Sequence, residues 1–91
     1  MNGITRTKHF DHRLQQRGLN EIVVMALLSY GECRSSRHGV ESLIFTKTAL
    51  ADIENDFGSS VLKMCEKRRN AYLIVRDGIL ITVARSYRTV H

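Results

Sequence analysis

At 91 residues without a proline, the chain has room for one domain with a single modest core and not for two. Its 43% hydrophobic and 25% charged residues are the mix of a folded globular protein, which excludes wholesale disorder, and no apolar run approaches the roughly 18 residues of a membrane span. A net charge of +5 fits an acidic partner, either nucleic acid or an acidic protein, as well as plain solubility.

The opening residues, Met1-Asn2-Gly3-Ile4-Thr5-Arg6, lack the apolar block of a secretion signal. Thr7 caps a first helix that Gly18 ends in a left-handed conformation. Within Lys8 to Gly18 only Phe10 and Leu14 are apolar, four apart on one narrow stripe, so this helix contributes little to a core. His9 and Arg13 share a face at i and i+4, with Gln16 and Arg17 one turn further on. That face sets a titratable group beside fixed positive charge.

Asn20 caps a second helix, Glu21 to about Ser29, with Glu21 complementing the dipole in its first turn. Ile22, Val23, Met25, Ala26, Leu27 and Tyr30 recur at helical spacing over a wide face, which predicts a core helix stopped by Gly31. Cys33 to Arg37, the pair His38-Gly39 and Val40 to Phe45 read as a hairpin whose polar first arm fits an edge strand. Thr46 caps a third helix, Lys47 to about Phe57, with Ala49, Leu50, Ile53 and Phe57 on the buried side. Gly58 interrupts it, and Ser59 or Ser60 caps a short fourth helix with Val61, Leu62, Met64 and Cys65 inward and Lys63, Lys67, Arg68 and Arg69 outward.

Ala71 to Arg76, the pair Asp77-Gly78 and Ile79 to Arg85 form the strongest hairpin signal, because Asp-Gly suits a type I′ turn and both arms are rich in β-branched residues. The near-continuous apolar character of both arms predicts central strands covered on both faces. The order is α-α-β-β-α(-α)-β-β: an α+β domain of N-terminal helices packed on a small antiparallel sheet, spanning residues 1–91 as one unit. Cys33 and Cys65 fall in different elements and carry no disulfide framework, so a cytoplasmic location is expected.

Three features together resemble a known group: the His-x-x-x-Arg-x-x-x-Arg-Gly helix of His9, Arg13, Arg17 and Gly18; the Tyr30-Gly31-Glu32 that ends the second helix; and the closing Ile81-Thr82-Val83-Ala84-Arg85-Ser86-Tyr87-Arg88. The chain resembles a family of small bacterial and phage domains of unknown function grouped with the RelE/ParE-like toxins, within the barnase–EndoU–colicin–RelE ribonuclease fold. The resemblance implies helices on an antiparallel sheet, and metal-independent RNA cleavage in some relatives; others poison gyrase or only bind partners. It also implies a toxin-like protein of a phage or mobile element, with a cognate antitoxin as partner and a homodimer as an allowed state. The family's motif positions fall on His9, Arg13 and Arg17, and its C-terminal basic segment on Arg85, Tyr87 and Arg88. RelE-type ribonucleases carry more lysine and arginine across the central strands, where this chain has aliphatics.

Metal-free RNA cleavage requires a base for the 2′-hydroxyl proton, an acid for the leaving 5′-oxygen and cations on the phosphate. His9 suits either proton role, Arg13 and Arg17 a phosphate clamp, and Arg85 with Tyr87 the opposite wall, where Tyr87 can also stack a base. The alternative for His9 is a solvated helix residue paired with Asp11 or Glu21. His12 lies with Gln16 on a neighbouring face of the same helix and extends the nucleic-acid-binding surface; without an HExxH or Cys/His framework it does not point to a metal. Lys67 and Arg68 read either as the basic end of a helix or as phosphate contacts. Arg85 to Arg88 borders a cleft or is a solvated end. Cys33 beside Arg34 lacks a histidine in a nucleophilic pattern. No glycine-rich phosphate loop supports nucleotide hydrolysis, and no cofactor is called for. Three functions stay open: an endoribonuclease using the His/Arg face, a non-catalytic inhibitor of host machinery that binds nucleic acid or an acidic protein with the same face, and a structural or regulatory interaction module whose exposed helix docks a partner.

Overall fold

The computed structural model describes residues 5–16 and 18–85. It has the elements β1 (Thr5–Arg6), α1 (Lys8–Gln16), α2 (Glu21–Tyr30), β2 (Glu32–Arg37), β3 (Val40–Ile44), α3 (Lys47–Phe57), α4 (Ser59–Glu66), β4 (Ala71–Arg76) and β5 (Ile79–Arg85). The strands form one sheet in the order β1-β5-β4-β3-β2. The α+β class and the element order agree with the sequence, with one addition. β1 pairs in parallel with β5, Thr5 opposite Ile79 and Arg6 opposite Leu80, so the sheet is mixed rather than purely antiparallel. Two residues carry no periodicity from which that strand could be read.

Three helix starts follow from side-chain caps, whereas α4 begins after Gly58 with no side-chain cap bond, which corrects the cap expected of Ser59 or Ser60. Thr7 Oγ1 accepts from the Phe10 N–H at 3.0 Å, Asn20 Oδ1 from Val23 at 2.9 Å and Thr46 Oγ1 from Ala49 at 3.1 Å. α2 stops at Gly31, whose N–H donates to the Leu27 carbonyl at 2.8 Å. A β-carbon at Gly31 would lie 2.3 Å from that carbonyl oxygen, so only glycine lets the chain pass there. Both hairpins turn through two residues of positive φ, His38 (54°) with Gly39 (79°) and Asp77 (50°) with Gly78 (81°), as type I′ loops require. The two tips are tied together by the Asp77 N–H donating to the Gly39 carbonyl at 3.2 Å.

Directly paired residues of adjacent antiparallel strands share a face. Ala71, Leu73 and Val75 of β4 and Leu80 and Val83 of β5 are buried on one face, in a single cluster with Phe10, Leu14, Val24, Leu27, Ile53 and Cys65 from the four helices. On the other face Tyr72, Ile74, Thr82 and Ala84 are half-buried. The helices therefore cover one face of the described sheet, and the expectation of strands covered on both faces is corrected. The apolar arms misled because the open face also carries Tyr72, Ile74, Ile44 and Val40.

The bulge between Ile74 and Val75 of β4 leaves Ile81 of β5 as the extra residue, since Ile74 pairs with Thr82 and Val75 with Leu80. The Ile81 carbonyl accepts from the Thr7 hydroxyl at 3.2 Å, and the Leu80 carbonyl from the Thr7 N–H at 3.1 Å. The residue that caps α1 thus also fastens it to β5. Two further expectations are corrected. Ile22 (49% exposed) and Met25 (52%) of α2 and Phe57 (57%) at the end of α3 face outward, because α2 meets the sheet and the other helices through Val23, Val24, Ala26 and Leu27. No helix among the described residues is long and apolar enough to cross a membrane.

Candidate nucleic-acid interface

α1 is pinned at both ends relative to β5. Its start sits at Leu80 and Ile81 through Thr7. Past its end, the Gly18 carbonyl accepts from Arg68 Nη2 at 3.4 Å; the Arg68 carbonyl accepts from the Ala71 N–H at 2.8 Å; and Ala71 pairs with Arg85. The helix therefore runs along β5 in the strand's own direction, from the Leu80 end to the Arg85 end.

This geometry sorts the candidate residues. His9 stands in the first turn of α1, exposed, at the Ile81 level. Thr7, two residues before His9, bonds the Ile81 carbonyl, and Arg85 lies four residues beyond Ile81 at the end of β5. Arg13, one turn beyond His9, is half-buried, and its Nη1 makes a long 3.4 Å contact with Gln16 Oε1. His12 is exposed on the same helix. Arg17, Tyr87 and Arg88 lie outside the described residues. Of the predicted site, then, Lys67 and Arg68 line one pocket with Gly18, just past α1, Arg85 pairs with Ala71 at the end of β5, and His9 stands at the start of α1.

Asp11 and Glu21, the acids expected to pair with His9, both go to Arg6. Its guanidinium donates to Asp11 Oδ1 at 2.6 Å and to the two Glu21 carboxylate oxygens at 2.9 and 2.6 Å, and lies 5.1 Å from the Phe10 ring centre. Those bonds hold the Glu21 carboxyl below its usual range against a smaller opposing effect of burial, and hold Arg6 firmly charged. Arg6 went unread as a structural residue because its strand is two residues long. His9 makes no side-chain hydrogen bond or ion pair among the described residues.

Lys67 and Arg68 line a pocket of about 210 Å³ together with Gly18, Asn20, Val23 and Met64. It opens at the capped start of α2, the positive end of that helix's dipole. From sequence alone Gly18, Asn20 and Met64 are a helix stop, a cap and a core residue. Arg85 pairs with Ala71 and so points to the helix-covered face, where its Nε is buried without a hydrogen-bond partner among the described residues. Cys33 is exposed and donates to the Ser35 carbonyl; Cys65 is buried, and burial pushes its thiol pKa up. Neither sits beside a histidine in a pattern that would make it a nucleophile. Among the described residues no three His, Cys, Asp or Glu side chains converge as metal ligands.

No protein-family model, curated protein or solved structure matches this chain. What stands independently is a small α+β fold with a mixed five-strand sheet.

Proposed function

We propose that this protein is a toxin-like, RNA-acting protein that holds the sugar–phosphate backbone of single-stranded RNA at the end of the domain where Lys67, Arg68, Arg85 and the C-terminal end of α1 meet. The observation carrying this reading is the pocket formed by Lys67 and Arg68 at the positive end of α2. Cations at a helix start are a ready phosphate site, and three of the nucleic-acid-binding residues expected from the sequence belong to this one end. The favoured activity is binding that blocks RNA-dependent host machinery. A cognate antitoxin that masks this end remains part of the proposal.

Cleavage is the second reading, and one observation favours it: His9 is exposed, makes no side-chain hydrogen bond or ion pair among the described residues, and lies one turn from Arg13 on the same helix. It is secondary because an acid–base histidine must reach the phosphate that the clamp holds, and His9 stands at the other end of α1 from Arg85.

Both are tested with a fluorescent single-stranded oligoribonucleotide and the full chain. The double variant Lys67→Glu/Arg68→Glu should weaken binding by at least roughly tenfold and flatten the salt dependence by about 0.7 per lost phosphate contact. Unchanged affinity in that variant overturns the proposal. Cutting of the RNA in the presence of a chelator, abolished by His9→Ala, makes the second reading the correct one.

A further inference from the structure

The basic end is not the only surface with a chemical character. On a different face of α2, Ile22, Met25, Ala26 and Tyr30 form one wall of an open apolar groove of about 300 Å³, and Phe57 and Val61, at the junction of α3 and α4, form the other. Tyr30 and Phe57 close one end edge-to-face, with ring centres 5.8 Å apart. Ile22, Met25 and Phe57 are about half exposed, which is the exposure of anchors awaiting a partner rather than of core residues.

Both ends of this groove are negative. At the α2 start, Glu21 lines it, and the cation bonded to Glu21 among the described residues, Arg6, is shared with a second carboxylate, Asp11. At the Tyr30 end, Asp56 accepts from the Tyr30 hydroxyl, and Asp52 lies one turn before Asp56 on α3. A groove with excess carboxylate at each end, on a chain of net charge +5, repels RNA and selects against general acidic partners. It also disfavours a second copy of this chain packed face to face, since each copy would bring the same uncompensated carboxylates.

We propose that this groove docks an amphipathic helix of another protein, with an apolar stripe and lysine or arginine at both ends. Two helix walls leave a channel that a third helix fills with residues at i, i+3 or i+4, and i+7. From Glu21 to Tyr30 the channel is about 14 Å long, which matches roughly ten residues of a docked helix. This interface is separate from the RNA-binding surface and can exist whether or not that reading holds.

The probe is a fluorescein-labelled peptide of about fourteen residues, alanine-based, with leucines at i, i+4 and i+7 and lysines at both ends; its control carries glutamates in place of the lysines. Anisotropy titrations with the full chain should show the lysine peptide saturating at least roughly tenfold more tightly than the control. Asp52→Asn/Asp56→Asn should shrink that preference, and Met25→Ser should weaken both peptides with the thermal melt unchanged, because Met25 is half exposed. Equal binding of the two peptides, no binding of either, or indifference to Met25→Ser overturns the proposal. So does a dimer in sedimentation that Met25→Ser dissolves, since a second copy would then be the occupant.

Discussion

Replacing Phe10 by alanine tests whether α1, the helix that carries His9 and Arg13, belongs to the cooperative core. Phe10 is fully buried, and Leu14, at 7% exposure, is the only other buried side chain of α1. Truncating a buried Phe costs about 3–5 kcal/mol, and the lost contact with the Arg6 guanidinium adds to it, so about 4 kcal/mol is expected. A domain of this size has roughly 5–14 kcal/mol in total, so the variant folds but melts about 15–30 °C lower. Phe10→Leu, which keeps most of the hydrocarbon, should lose only about 1–2 kcal/mol. Urea unfolding followed by far-UV circular dichroism measures both, with the slope against urea unchanged if the domain unfolds as one unit. A loss under about 1.5 kcal/mol for the alanine variant refutes the reasoning, because α1 would then be an appendage that cannot position Arg13.

Other outcomes follow from the same contacts. The Glu21 carboxyl is held below its ordinary value by Arg6, so its contribution is present above that value, 4.5, and is lost as the pH falls through its depressed folded-state pKa. Both side chains keep solvent access, so Glu21→Gln should cost about 0.5–1 kcal/mol at neutral pH, and the gap to the parent should close in acid; a gap constant with pH contradicts this. Gly31→Ala should destabilise by roughly 1–3 kcal/mol, since its β-carbon meets a backbone oxygen that cannot move aside; a neutral melt would show that the α2–β2 corner yields.

What the sequence disclosed depended on whether a signal was local. Caps at Thr7, Asn20 and Thr46 and turns at His38-Gly39 and Asp77-Gly78 are set by one to three residues, and each is where its residue types place it. Burial was less legible. Ile22, Met25 and Phe57 satisfy helical periodicity yet face out, because periodicity marks an apolar side without saying how much of it a neighbour covers. For the site, basic residues in three segments were visible, but whether they met depended on the direction of α1 along β5. That direction is fixed by Thr7 and by the Gly18–Arg68–Ala71–Arg85 relay, all contacts between residues far apart in the chain. The fold sets Arg85 opposite Ala71, whose N–H bonds the Arg68 carbonyl, and His9 in the first turn of α1, a placement that no spacing in the sequence encodes.

The parallel pairing of Thr5 and Arg6 with Ile79 and Leu80 has a consequence for biogenesis. On the ribosome the first strand is synthesised more than seventy residues before β5, its neighbour among the described strands, so it and the helix fastened through Thr7 must wait undocked while everything between them emerges. Docking of β1 and α1 onto the sheet is therefore among the last steps of folding, completed only once β5 has been made.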